Sequence, residues 1–379
     1  MRVLNVNILL DSAIGGGTAE RTFQMSRALT KAGVECTILT TSLGLTPKRI
    51  AELSGVNVIV LPLLIKRFYI PKFSYRMIRD IVKDIDIIHL MNHWTLLNAL
   101  IYLIARRLKK PYVVCPAGAL QIYGRSSLFK NFYNLIIGKK IIRNANSYVA
   151  IGANEISQFQ DYGVEAHNVT LIPNGVNAED YQVTENGGFR TKYGLDNNPF
   201  ILFMGRLNSI KGPDLLLQAF CMTKDELKNF HLVFAGPDGE MLAELQKLAA
   251  EFGAKDRIHF VGYLNGLDKY QAYHAAELLV IPSRQEAMSI VVLEAGITGT
   301  PVLLTDQCGF SEVDQIGGGK VVPASIEGLQ KGLIEVLYNR DGLKSMGENL
   351  RQYTVEHFSW DSVIQKYLNL YRQVLGASN

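Results

Sequence analysis

This 379-residue chain has no paired cysteine motif, no long apolar run and no large surplus of one charge. Cys36, Cys115, Cys221 and Cys308 stand far apart and form no CxxC pair, which excludes a zinc ribbon and a thioredoxin-like site. A chain of this length can stabilise a core without disulfide staples, so a reduced, cytoplasmic setting is expected. No stretch reaches about 18 uncharged apolar residues, so no bilayer-spanning helix is expected. Neither glycine nor charge is periodic, which excludes collagen-like and coiled-coil classes. Lys plus Arg number 39 against 35 for Asp plus Glu, a net charge of +4. So small an excess, with no zinc finger or RNP-like segment, speaks against nucleic-acid binding. Met1-Arg2 before VLNVNILL has the look of a leader, but Asp11 follows at once without a small-residue cleavage site, and a first strand is expected instead.

What is present is a chain rich enough in apolar residues, at 48%, to fold, and long enough for two domains. Strand and helix signals alternate. Strands are expected at 3–10, 34–41, 56–63, 85–90, 111–118, 147–152 and 168–174, with helices at 18–33, 73–84, 94–109 and 127–143 between them. A polar stretch with Asn186-Gly187-Gly188 and Asp196-Asn197-Asn198-Pro199 places a domain boundary near 175–198. The pattern then restarts, with strands at 200–205, 231–236, 257–263, 277–283, 301–309 and 317–323. Helices are expected at 212–224, 239–253, 268–276, 289–299, 325–338 and 358–375. Continuous Val/Ile/Leu strands between helices signify parallel sheets covered on both faces. The expected fold is α/β, with two Rossmann-like doubly wound domains facing across a cleft, and strand-end loops supplying the ligand contacts. The expected division is 1–176, 177–357 and a last helix at 358–379 that crosses back onto the first domain.

Three stretches could carry chemistry. Gly15-Gly16-Gly17 lies between the first strand and first helix, where a side-chain-free loop and a helix N-terminus admit a phosphate or sugar. It is neither a GxGxxG fingerprint, because Glu20 stands at the third glycine, nor a Walker A loop. A plain tight turn is the competing reading. Arg206 and Lys211 flank the first strand-to-helix turn of the second half, where two cations could grip a diphosphate, although a solvated loop has the same composition. Glu286 follows a buried strand and Glu294 sits in the apolar run IVVLEAGI, where an acid needs a partner. Ribose hydroxyls or a core cation would serve. Gly309, Phe310 and Ser311 could offer backbone N–H groups to phosphate. His89 ends a strand, with His93 in the following loop. Asp84, Asp86 and His89 do not have metal-ligand spacing, and no GxSxG elbow is present.

Basic residues interleave with aromatics in the first half. Lys66, Arg67, Lys72, Arg76, Arg79 and Lys83 alternate with Phe68, Tyr69, Phe73 and Tyr75. Arg106, Arg107, Lys109 and Lys110 form a second group, and Lys139, Lys140 and Arg143 a third beside FKNFYNLIIG. Such clusters suit an anionic membrane surface or a lipid-phosphate substrate, and equally a solvated helix face.

Taken together, GGGTAER (15–21), DIIHL (86–90), IPNGVN (172–177), GRLNSIKG (205–212), FAGPDG (234–239) and PSRQEAMSIVVLEAGITGTPVLLTD (282–306) resemble the retaining GT-B glycosyltransferases of family 4 over nearly the whole chain. The resemblance implies transfer of a hexose from a nucleotide-sugar, GDP- or UDP-linked, to a glycan or a polyprenyl-diphosphate- or other lipid-linked acceptor. It implies no metal and no other cofactor, and a cytoplasmic protein peripheral to the inner face of the membrane. Arg206 and Lys211 would bind the donor diphosphate, Glu286 the sugar and Glu294 the ribose, with Gly16 and Gly17 beside the phosphates. Ser289, Ile290 and Gly309 complete the implied donor set, and Thr18, His89, Asn92, His93 and Tyr123 the acceptor set. The catalytic group would be Glu286, Arg206, Lys211 and His93, and the favoured route is front-face attack.

This chain departs from the pattern in three places. His89-Leu90-Met91 replaces a common His-x-His, leaving His93 two residues late. Cys115-Pro116-Ala117-Gly118 replaces Ser-Pro-Arg-Gly, removing an arginine, and Asn177 stands where Asp is common. A sugar-nucleotide epimerase of the same double fold and a two-lobed sugar-binding module are the alternatives. Product analysis separates all three.

Overall fold

The computed structural model describes residues 1–122, 127–181, 188–195, 197–223 and 226–376. They form two compact units, Met1–Gly175 with Trp360–Asn379, and Val176–Ser359.

Unit 1 holds the strands β1 (Arg2–Val6), β2 (Glu35–Thr41), β3 (Asn57–Leu61), the short pair β4 (Leu63–Ile65) and β5 (Ile70–Pro71), β6 (Ile87–Met91), β7 (Tyr112–Cys115), β8 (Ser147–Ala150) and β9 (Val169–Leu171). Seven of them make a parallel sheet in the order β3-β2-β1-β6-β7-β8-β9. Apolar side chains on both faces explain why the strands read as unbroken Val/Ile/Leu runs: Val3, Leu4, Ile87, Ile88 and Val113 are fully buried. The helix Trp360–Gly376 packs within this unit. Its Trp360 ring lies against Gly175, and Tyr367 and Tyr371 are buried beside Arg21 and His89.

Unit 2 repeats the plan with β10 (Phe200–Met204), β11 (His231–Ala235), β12 (Ile258–Gly262), β13 (Leu278–Ile281), β14 (Val302–Thr305) and β15 (Gly319–Val322), all parallel, in the order β12-β11-β10-β13-β14-β15. Both sheets reverse strand order beside their first strand, at β1/β6 and at β10/β13. Loops diverge there and leave a crevice at the C-terminal strand ends. The two doubly wound parallel sheets agree with the fold class expected from the sequence.

Several local expectations change. The glycine run is not a free loop. A helix spans Ser12–Lys31, N-capped by Asp11, with the break confined to Gly16 at φ 61°, ψ −149°, a conformation that only glycine adopts cheaply. The stretch 127–143 is helical, but a π turn at Asn134–Gly138 joins the helices Ser127–Tyr133 and Lys139–Arg143. The helix Arg340–Phe358, absent from the sequence reading, begins at an Asn339 cap and buries Leu343, Leu350 and Phe358. Among the described residues, no helix is long and apolar enough to cross a membrane.

Candidate active site

In unit 2 the loops following β10, β13 and β14 are stitched together by their backbones. Arg284 N donates to Ile210 O at 2.8 Å, and Glu286 N donates to Gln307 O at 2.9 Å. Gly212 makes the first contact possible. Its φ of 66° is left-handed, and a Cβ there would stand 2.1 Å from Pro282 O. Gly212 also starts the helix Pro213–Met222, with proline in its first turn. Arg284 secures the same corner with two bonds to Asp214, 2.8 and 2.6 Å.

On this frame Lys211 Nζ lies 2.7 Å from Glu286 Oε1, and Ser283 Oγ donates to Glu286 Oε2 at 3.0 Å. The pair is part-buried, with Lys211 31% and Glu286 13% exposed, so a ligand can reach it while solvent screening is reduced. Burial, then the charge of Glu286, pushes the Cys308 thiol up to about 11. That places the β14 loop, and with it Gly309, beside the same carboxylate. Arg206 is exposed on the β10 loop, its stem running along Gly239 of the β11 loop.

Glu294 lies deeper, in the helix Ile290–Thr298, and is 2% exposed. Lys269 Nζ donates to one of its oxygens at 2.5 Å and the Tyr273 hydroxyl to the other at 2.6 Å. Burial, reinforced by the Glu294 charge, holds the Tyr273 hydroxyl well above its ordinary value, so it remains a donor. Lys269 and Tyr273 are one turn apart on one helix, an i, i+4 spacing present in the sequence DKYQAYH. At the N-terminus of the Glu294 helix, Ser289 adopts cap geometry, yet its buried Oγ has no hydrogen-bond partner among the described residues. Ile290, half-buried, is the first helical residue, and its N–H is among those that an N-terminus leaves unpaired.

In unit 1 the loops after β1 and β6 meet through Asn7, which the sequence reading missed. Asn7 Nδ2 donates to Thr18 O and Thr22 Oγ1, while its Oδ1 accepts from Asn92 Nδ2 at 3.0 Å. Gly16, Gly17, Thr18 and Asn92 thus share one corner, with Gly17 exposed at its tip. His93 does not open onto it. It is 1% exposed, bonded through Nε2 to Asn134 Oδ1 at 3.1 Å and ringed by Trp94, Tyr133 and Tyr162. Burial pulls its pKa down to about 4 against the Asn134 bond, so it is neutral. His89 is fully buried, its Nδ1 2.6 Å from the Tyr371 hydroxyl, and burial with the nearby Arg21 charge lowers it to about 3. Arg21 is itself buried and donates to Asn174 Oδ1 at 2.6 Å, Ile172 O at 2.9 Å and the Tyr367 hydroxyl. In the loop where an arginine is missing, Glu155 takes the N–H groups of Gly118 and, at 2.7 Å, Ile151. Tyr123 lies outside the described residues. Among the described residues no group of three or more His, Cys, Asp or Glu side chains is placed to hold a metal ion.

Residues 15–180 match the family described as Glycosyltransferase Family 4, and residues 188–353 match Glycosyl transferases group 1. This chain belongs to the glycosyltransferases of GT-B fold. It is 31% identical over 211 residues to an uncharacterised glycosyltransferase of Methanocaldococcus jannaschii, a match covering 54% of each chain. It is 30% identical to the D-inositol 3-phosphate glycosyltransferase of Nocardia farcinica over 247 residues, 62% of this chain and 54% of that one. The matched stretch thus spans about half the length of these curated relatives. Among solved structures it superposes on HepE of Anabaena in complex with UDP-glucose with a TM-score of 0.80 at 18% identity, covering 98% of this chain and 100% of that one. At that identity the likeness is one of fold, and it extends over both units.

Proposed function

We propose that the chain is a retaining glycosyltransferase. It moves a hexose from a GDP- or UDP-linked donor to a hydroxyl of a glycan or lipid-linked acceptor, without a divalent metal. The observation that carries this reading is the Lys211–Glu286 pair, held on adjoining strand-end loops at the β10/β13 reversal. A fixed ammonium beside a carboxylate suits a ligand with an anionic half and a hydroxylated half. Lys211, with Arg206, takes the diphosphate, and Glu286 turns to the sugar hydroxyls.

Ser289 Oγ, which has no hydrogen-bond partner among the described residues, and the helix N-terminus at Ile290 offer further donors to phosphate. Glu294, braced by Lys269 and Tyr273, is the acceptor for ribose hydroxyls. Charge grows on the leaving diphosphate as the glycosidic bond breaks, and cations fixed beforehand lower that barrier. Transfer with retention follows from front-face attack, in which the departing phosphate oxygen takes the acceptor's proton and no protein base is required. His89 and His93, buried and neutral, suit this better than the proton removal an epimerase would need. Unit 1 supplies the acceptor side through the corner of Gly17, Thr18 and Asn92.

A screen of nucleotide-sugars for acceptor-dependent nucleoside diphosphate release tests the reading, with the product's anomeric configuration read by NMR. Donor turnover giving a new glycoside of unchanged configuration supports it. An altered sugar still attached to nucleotide, or binding with no turnover, overturns it.

A further inference from the structure

The segment 127–143 has two apolar faces, and among the described residues only one of them is covered. Inward, Tyr133, Ile137, Ile141 and Ile142 pack on the unit 1 core. Outward, Leu128, Phe129, Phe132, Leu135 and Ile136 stand 82%, 78%, 61%, 79% and 52% exposed. Their spacing keeps one helical face, with a period near 3.6 residues. The same stripe then continues as Lys139, Lys140 and Arg143, all exposed. No Asp or Glu occurs between 127 and 143. The basic end is reinforced from a second helix. Asn144, which follows Arg143, donates its Nδ2 to the Tyr102 hydroxyl at 2.9 Å, and this ties the segment to the helix Leu96–Leu108, whose last turn carries the exposed Arg106 and Arg107.

A contiguous apolar stripe of this size marks a contact surface, and the charge order along it selects the partner. Two copies laid parallel would set the three cations against their own kind. Laid antiparallel, they would bury cations over Leu and Phe. An anionic bilayer satisfies both halves at once, with the acyl boundary receiving the apolar end and lipid phosphates the basic end. We propose that 127–143 seats the protein on an anionic lipid surface. Through Tyr133, whose hydroxyl donates to Thr95 O at 3.0 Å, and through Asn134 on His93, the seat is joined directly to the 92–95 loop of the acceptor corner. The inference stands apart from the transfer reading, because lipid binding requires no donor.

The test is flotation of the full chain with phosphatidylcholine vesicles and with vesicles that also contain phosphatidylglycerol. Two variants are compared, Phe129→Ser/Phe132→Ser/Leu135→Ser and Lys139→Gln/Lys140→Gln. The wild type is expected to float only with the anionic vesicles, and each variant to lose about tenfold or more in partition. The lysine variant, which leaves every apolar contact in place, keeps the test valid should the serine variant fold poorly. No wild-type flotation, equal flotation with neutral vesicles, or wild-type partition in the lysine variant would overturn the proposal. So would a wild-type dimer in solution that the serine variant converts to monomer, since a second copy would then own the face.

Discussion

Lys211 and Glu286 come from loops that follow neighbouring strands, β10 and β13, and their charged groups meet at 2.7 Å. Each holds the other in place, so on the proposed reading a donor would meet two groups already positioned. Replacing Lys211 by Ala should lower turnover by about 100- to 1000-fold, the usual cost of losing one preorganised charge on a developing anion. The donor KM should change far less. Because both side chains are partly exposed, stability should fall by no more than about 1 kcal/mol. Steady-state nucleoside diphosphate release with a urea melt separates the two effects.

Glu294 has the opposite character. It is almost completely buried, and both oxygens are engaged. Lys269→Met removes one partner from a buried carboxylate and should cost about 3–5 kcal/mol in chemical denaturation. Glu294→Gln keeps the shape and the bond from Tyr273, so it should fold. Its affinity for nucleoside diphosphate should fall about tenfold or more, because an acceptor charged in the wild type is now neutral. Calorimetric titration of the variant checks this. Unchanged affinity would remove Glu294 from the ribose contact.

Gly212→Ala should fail in folding rather than in chemistry alone. Its left-handed backbone costs an added Cβ about 1–2 kcal/mol, and the clash with Pro282 O must also be relieved. The Lys211 and Glu286 loops would then part. A loss of at least about 2 kcal/mol in unit 2, with turnover reduced as well, is expected from denaturation and rate measurements on one preparation.

Acid should weaken unit 1. His93 and His89 sit at about 4 and about 3, below the ordinary 6.5 of the unfolded chain, chiefly through burial. Between those values and 6.5 the unfolded chain binds protons that the folded chain refuses. Stability is therefore complete above 6.5 and declines as pH falls below it. Each histidine contributes a slope of up to about 1.4 kcal/mol per pH unit. His93→Gln cannot be protonated, and the pH dependence of its urea midpoint should be correspondingly flatter than the wild type's.

The fold class was legible because buried parallel strands leave unbroken apolar runs that a sequence displays directly. Features set by long-range contact were less legible. The helix Arg340–Phe358 is mostly polar on its outer side and buries only an occasional Leu or Phe, so its periodicity is faint. Gly15 and Gly17 read as a loop, yet one torsion at Gly16 suffices and the residues around it stay helical. The acid in IVVLEAGI announced that a partner was needed. That Lys269 and Tyr273 supply it depends on how two helices pack. Strand-end positions put the histidines near the site, but their burial beneath Tyr133, Tyr162 and Tyr371 depends on the fold itself.

The most direct test of the account is acceptor-dependent nucleoside diphosphate release in the presence of a chelator, comparing wild type with Lys211→Ala. Undiminished wild-type turnover under chelation and a loss of about 100-fold or more in the variant are predicted. Wild-type turnover in the variant, or a reaction that stops until divalent metal is restored, would contradict it.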